Sequence, residues 1–342
     1  MRVARYMEPG RLVVEEMDRP VVGAGEVLVR MGACGVCGTD VKTYQRGHPL
    51  IQPGSVLGHE VAGEVVESHH PRFEVGARVA VAPYSSCGAC PECRRGHPSL
   101  CTDRGEAFLQ PGGFAEYLRV PRPLADAGLH RIPDHIPYEV ASLAEPLACC
   151  VHGLEALSLP QDASLLIIGD GPMGLMQAAI ARSFGAARIT LVGLTPQRLE
   201  YARGVADVVI DGSLQDVEAA LRSSAVGEVD AVMVSVASLD ALAQAMSVVA
   251  KGGTVNVFAG MPSGATYPVD LKRVHYDEVR LVGTFGFGPR DFVRALDLLG
   301  DLEPQLRRLI THRVGLEQVE DALQNAARHA GVKTVVMGPA RE

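Results

Sequence analysis

The chain of 342 residues is 47% hydrophobic and 21% charged, which is ample apolar side chain to offset ordering entropy and excludes a disordered chain. Single domains usually run about 100–200 residues, so this length is generous for one core and comfortable for two. With 32 basic residues against 40 acidic, a formal net charge of −8 and no Lys/Arg block, neither nucleic acid nor an anionic membrane is an expected partner.

The start of the chain lacks the apolar core of a secretory signal. No unbroken apolar run reaches the ~18 residues of a bilayer-spanning helix. The eight cysteines are therefore expected in a reducing cytoplasm, where clustered cysteines are more often metal ligands than disulfides.

Residues 1 to about 150 read as strands and turns. The β-branched runs at 27–30, 61–66 and 78–82 are punctuated by Gly and Pro, which predicts a compact, largely antiparallel β body. From Leu165 the character changes. Apolar runs at 165–168, 189–192, 229–234, 253–258 and 279–282 alternate with helix-like stretches such as 175–184 and 239–249. That alternation predicts a parallel sheet covered on both faces. Two more helical stretches, 291–299 and 316–329, precede a strand at 333–337. This last strand has no evident place in the parallel sheet and is expected to return to the first domain. There is no internal repeat and no low-complexity tract.

The most specific local signal is Cys87, Cys90, Cys93 and Cys101. Four thiolates at such short spacing suit a closed, structural zinc site, with an iron–sulfur cluster as the competing reading and unrelated surface thiols as the bland one. With all four ligands supplied by the protein, this site is not catalytic.

A second constellation is dispersed. Cys37-Gly-Thr39-Asp40, Gly58-His59-Glu60 and Glu145-Pro-Leu147 are each weak alone. Together they offer a thiolate, an imidazole and two carboxylates, a set suited to a zinc that keeps one position open. Asp40 is a candidate for holding the His59 ring in its ligating tautomer. Thr39 is placed to take a proton from a bound alcohol.

An apolar strand at 165–168 runs into Gly169-Asp-Gly171-Pro172-Met173-Gly174 and a helix. Glycines here permit a tight turn and close approach to a pyrophosphate, and the following helix start attracts that anion. The strand–turn–helix context is what separates this from a chance Gly-rich turn. An NAD site normally ends its second strand with an acid for the ribose 2′-hydroxyl. Here that position is Gly193, followed by Thr195 and Arg198 as candidate contacts for a 2′-phosphate. NADP is accordingly expected over NAD, with Arg198 on an ordinary solvated helix start as the alternative.

Taken in order, these motifs resemble the zinc-dependent alcohol dehydrogenase family of the medium-chain dehydrogenase/reductase superfamily over essentially the whole chain. Glu145-Pro-Leu is similar to the polyol (sorbitol/L-iditol) and threonine dehydrogenase branches, in which a glutamate stands where liver-type enzymes use a cysteine. The resemblance implies an α/β protein of two parts. One is a GroES-like β-rich catalytic domain, residues 1–150 and 287–342, with a structural-zinc lobe at about 85–103. The other is a Rossmann doubly wound parallel-sheet domain, residues 151–286.

The resemblance also implies two zinc ions per chain. The catalytic one would be held by Cys37, His59 and one or both of Glu60 and Glu145, with Glu60 moving in and out of the zinc shell and Thr39 in the proton relay. Cys34, Cys149 and Cys150 match no ligand position and read as core thiols or as thiols that back the metal ligands. The implied activity is interconversion of a secondary alcohol (polyol, sugar-derived or amino-cyclitol) and its ketone with NAD(P), by a cytoplasmic homotetramer or homodimer. An L-threonine 3-dehydrogenase-like enzyme, a zinc-free quinone or enoyl reductase and a non-catalytic dinucleotide-binding protein are the alternatives. Tyr44, Phe108 and Phe285 are candidates for edging a substrate pocket, with a place in the core as the equal alternative for each.

Overall fold

The computed structural model describes residues 1–223 and 227–339, so residues 340–342 of the expected first domain and 224–226 of the second lie outside the described residues. By internal contacts the chain divides into two compact units. One holds Met1–Ala148 and the chain from Phe287 on, the other Cys149–Gly286.

In the first unit, β1 (Arg2–Glu8) and β2 (Arg11–Glu16) form a small antiparallel sheet. The strands β3 (Val27–Gly35), β4 (Glu60–Ser68), β5 (Arg78–Val81), β6 (Tyr117–Val120) and β7 (Leu129–Arg131) belong to a seven-stranded sheet. β3 pairs antiparallel with both β4 and β6. Its Val27, Leu28, Val29, Met31, Ala33 and Cys34 are all buried, as expected of a strand covered on both faces. Gly58, just before β4, adopts φ +84°, and a Cβ there would lie 2.7 Å from the Phe114 ring. Glycine is required on both counts, and the buried Phe114 thereby fixes the segment that leads into β4.

In the second unit, β8 (Ala163–Ile168), β9 (Ala186–Gly193), β10 (Val208–Asp211), β11 (Val229–Val234), β12 (Val249–Val257) and β13 (Arg280–Gly283) form a parallel sheet. The strand order is β10-β9-β8-β11-β12-β13. The order reverses between β8 and β11, the switch point at which doubly wound sheets bind ligands. The expected helix over 175–184 begins earlier, at Pro172, because proline at the first helical turn is pre-set for the helix. It gives way to a 3₁₀ turn, Ala181–Phe184, closed by Gly185 in the left-handed region at φ 100°. The stretch expected as one helix over 316–329 likewise divides, into a 3₁₀ turn Leu316–Gln318 and a helix Val319–Ala327.

The chain then supplies β14 (Ile310–Val314) and β15 (Lys333–Met337) to the first unit's sheet. β15 lies parallel to β14 and antiparallel to β3, with Val335 opposite Gly35. The stretch Tyr138–Leu157 is long and apolar enough to cross a membrane despite its interspersed glutamates, although no unbroken apolar run marks it, and it divides into the helices Tyr138–Ala141 and Ala144–Leu157. In the protein it serves as core, with 78% of its apolar window buried.

Replacing Phe114 with Ala should destabilise the first unit by about 3–5 kcal/mol, the usual cost of removing a fully buried aromatic side chain. Urea unfolding should show this as a lowered midpoint. An unchanged midpoint would mean that Phe114 does not anchor the segment before β4.

Candidate functional site

β3 and β4 pair with Gly35 opposite Glu60, so the chain leaving β3 and the chain entering β4 emerge side by side. Cys37 lies just beyond one strand end and His59 just before the other. Cys37 caps the helix Gly38–Arg46: its sulfur accepts the Thr39 amide at 3.5 Å, and its own amide donates to Asp40 Oδ2 at 2.9 Å. Asp40 is buried, and its Oδ1 accepts the Gly58 amide at 3.1 Å while lying 3.6 Å from His59 Nδ1. One carboxylate therefore ties the Cys37 turn to the segment carrying His59. Burial opposes its charge, but His59 and the two backbone donors hold the Asp40 pKa below the ordinary value.

Cys37, His59 and Glu60 converge, each offering a ligand atom within 4.8 Å of the others. Burial opposes protonation of His59, yet the charges of Asp40 and Cys37 raise its pKa well above that of a free imidazole. Glu60 is fully buried and paired with a lysine that no sequence motif singles out. Lys333 Nζ, from β15, donates to Glu60 Oε1 at 2.6 Å and to the Val36 carbonyl at 2.9 Å. Glu60 Oε2 lies 2.5 Å from the same nitrogen as an ion pair, but no hydrogen bond reaches it. Gly35 is glycine for this reason, since a Cβ there would fall on Glu60 Oε2 and 3.1 Å from Lys333 Cε. Burial works against the Lys333 charge, and the negative groups around it, Glu60 first, hold its pKa above the usual value.

Glu145, at the start of the helix Ala144–Leu157, faces the same charges. Burial pushes its carboxyl up to about 7; His59 draws it down and Glu60 adds to the rise. The thiol, imidazole and buried carboxylate of Cys37, His59 and Glu60 form a donor set that fits a divalent cation such as zinc, and Glu145 stands outside that close cluster. Thr39 is exposed at the first turn of its helix.

Cys87, Cys90, Cys93 and Cys101 form the other cluster, with ligand sulfurs all within 4.8 Å of one another. None is in a disulfide, and the Cys101–Cys87 and Cys90–Cys101 sulfurs stand 3.6 and 3.9 Å apart. The Ala89 and Cys90 amides point at Cys87 Sγ, at 3.4 and 3.2 Å. Backbone amides of Cys93 and Thr102 draw the Cys90 pKa down to about 6, while burial and the neighbouring sulfurs push Cys93 up to about 12. Backbone donors aimed at a tetrad of sulfurs fit a closed four-thiolate metal site.

In the second unit, β8 is followed by Gly169 at φ +131°, and the helix Pro172–Ile180 starts from Gly171. A Cβ on Gly174 would strike the Gly169 carbonyl oxygen, whereas one on Gly171 would meet nothing within 4 Å. The turn is thus tight on its inner side and open on the outer, a cradle that fits a pyrophosphate. Pro172 and Met173 form the first turn of that helix, and the Met173 carbonyl accepts from the Cys150 thiol at 3.7 Å. Gly193 ends β9. Asp170, which sequence inspection passed over as the variable residue of the fingerprint, folds against it. Its Oδ2 accepts the Leu194 and Thr195 amides at 2.9 and 2.6 Å. Arg198 is only 7% exposed, not on a solvated helix start; burial lowers its pKa and the Asp170 charge opposes the drop.

Tyr44 does not edge a pocket. It is buried, and its hydroxyl is engaged by Gly10, Glu320 and Gln324. Phe108 and Phe285 are exposed, and Cys34 is a core thiol whose sulfur donates to the Gly35 carbonyl.

Residues 23–134 match the alcohol dehydrogenase GroES-like domain and residues 172–301 the zinc-binding dehydrogenase domain. A sorbitol dehydrogenase of Bacillus subtilis is 30% identical over 335 residues, covering 95% of this chain and 93% of the relative. A D-altritol 5-dehydrogenase of Agrobacterium fabrum is 33% identical over 330 residues, 93% and 94% of the two chains. Among solved structures, a zinc-binding dehydrogenase of Sinorhizobium meliloti bound to NADP is 31% identical, covers 98% of each chain and superposes with a TM-score of 0.90. The fold and these likenesses define an NAD(P)-dependent dehydrogenase. The chain belongs to the zinc-type medium-chain dehydrogenase family, in the branch that holds polyol and threonine dehydrogenases.

Replacing Lys333 with Met leaves Glu60 as an uncompensated buried charge and should cost about 3–5 kcal/mol. Adding Glu60→Gln should recover most of that loss in a denaturant titration. A Lys333→Met protein as stable as the parent would show that the pair carries no such charge balance.

Proposed function

We propose that the protein oxidises a secondary alcohol of a polyol or sugar-derived substrate to its ketone, reversibly, using a catalytic zinc and NAD(P). The convergence of Cys37, His59 and Glu60, with Glu145 facing the same charges, is the observation that carries this reading. Cys37, His59 and the carboxylates Glu60 and Glu145 would hold the zinc. When bound, zinc and nicotinamide supply a Lewis acid that favours alcohol deprotonation and an acceptor for the carbinol hydride. The protein's own groups do the rest. Asp40 orients the His59 ring, Lys333 balances Glu60, and the exposed Thr39 hydroxyl accepts the substrate proton and passes it towards water.

Cys87, Cys90, Cys93 and Cys101 would take a second, structural zinc, giving two per chain. We assign the catalytic role to the first unit and dinucleotide binding to the second, through Gly169, Gly171, Pro172, Met173 and Gly174, with Gly193, Thr195 and Arg198 at the adenosine end. NADP leads over NAD, because Gly193 brings no carboxylate of its own to the end of β9, and the NADP-bound relative supports this order. Sorbitol and D-altritol dehydrogenases among the relatives support the polyol class.

The assembly we propose is a homodimer or homotetramer. β13 is an edge strand with Leu281 exposed, flanked by exposed Leu271, Tyr276 and Phe285, and such an edge invites pairing with a second copy. Eight cysteines outside any disulfide fit a cytoplasmic enzyme.

A panel of polyols, amino-cyclitols and L-threonine with each dinucleotide, followed by reduced-cofactor absorbance, tests the assignment. Polyols should lead. Preference for L-threonine would move the protein to the threonine branch, and tight cofactor binding without turnover of any alcohol would make it a non-catalytic binder. Metal analysis should find about two zinc per chain, falling to about one in Cys37→Ser together with loss of turnover. Asp40→Asn should cost about 10–100-fold in activity or metal affinity. Full activity in Cys37→Ser would remove the mechanism.

A further inference from the structure

Gly193 removes the acidic side chain from the end of β9, but it does not leave that place empty. A Cβ built on Gly193 would lie 2.5 Å from Asp170 Oδ2 and 2.7 Å from Asp170 Cγ. The Asp170 carboxylate occupies the space from which a side chain at position 193 would grow. It is held there by the Leu194 and Thr195 amides, both donating to Oδ2, and it is only 9% exposed. A carboxylate has about four acceptor sites, and these two amides use only one of its oxygens. Arg198, the cation best placed to meet a 2′-phosphate, already has its charge set against the same group.

We propose that Asp170 is the residue that sets how far this site discriminates between the two dinucleotides. Its carboxylate supplies, from inside the fingerprint, the negative charge that the end of β9 lacks. This rests on the dinucleotide reading of the second unit and adds to it. Asp170 offers an acceptor to a ribose 2′-hydroxyl, and its charge disfavours a 2′-phosphate and draws on Arg198. The NADP preference that Gly193 permits is thereby kept small, and both dinucleotides remain usable. The arrangement needs glycine at 193, since any side chain there would displace the Asp170 carboxylate.

The test is direct binding of NADH and NADPH to the metal-loaded protein, read by the fluorescence of the reduced nicotinamide. The chain has no tryptophan, so the bound cofactor is excited directly. Asp170→Asn keeps an oxygen for the two amides and removes only the charge. A hydrogen bond to a charged group contributes about 1.5–3 kcal/mol, so the affinity ratio should move towards NADPH by about tenfold or more. The exchange variant, Asp170→Ala with Gly193→Asp, returns the charge to the strand end and should bring the ratio back to the parent value or beyond it towards NADH. A ratio within about twofold of the parent in Asp170→Asn, whether both affinities hold or fall together, would overturn the proposal and leave Asp170 a purely structural clamp. A parent protein that binds neither dinucleotide would overturn the dinucleotide reading itself, and the role of Asp170 with it.

Discussion

The first unit depends on the antiparallel pairing of β3 with β4, closed on one side by β15. Gly35 opposes Glu60 in that ladder, so two strand ends deliver Cys37 and His59 to the same place without any long-range search by flexible loops. The pairing also forces Glu60 into the sheet, where a carboxylate has no water to solvate it. Lys333 answers that charge from the neighbouring strand, and Gly35 gives up its side chain to make room. A buried ion pair is costly to form, and removing one partner is costlier still. The sheet therefore ties the far end of the chain to the donor cluster: β15 cannot leave without stranding Glu60.

The second unit follows a similar logic with different chemistry. Its parallel sheet needs helices on both faces, and the switch of strand order at β8 and β11 opens a crevice at the carboxyl ends of the strands. The glycines of the fingerprint are shaped by backbone contact on one side and by open space on the other. Asp170 then ties the fingerprint to the turn after β9, so that two successive βα turns behave as one piece of the site.

Much of this was legible in the residues. The four clustered cysteines, the strand running into the glycine turn and the change of character near residue 150 each carry a local physical signature. The dispersed donors Cys37, His59 and Glu145 have no signature one at a time; it was the resemblance to a known family that joined them. Lys333 was invisible because it sits at the head of a β-branched run, where a lysine reads as a solvated strand end. Only the folded sheet reveals that its ammonium meets a buried carboxylate on another strand. Asp170 was hidden differently, since the fingerprint tolerates almost any residue at that position and the contact that gives it meaning lies on the next strand. The burial of Arg198 and of Tyr44 was open in the sequence for a related reason, because burial depends on neighbours that no local pattern names. The glutamates within 138–157 likewise interrupt the apolar run of what are two largely buried helices.

Crystals grown with zinc and measured at the zinc absorption edge test the central claim most directly. Two anomalous peaks per chain are expected. One should lie at the centre of the four-cysteine lobe, the other about 2.3 Å from Cys37 Sγ and about 2.0–2.1 Å from a ring nitrogen of His59. A single peak in the lobe, with Cys37 and His59 bound to nothing at full zinc occupancy, would contradict the catalytic centre while leaving the fold as described.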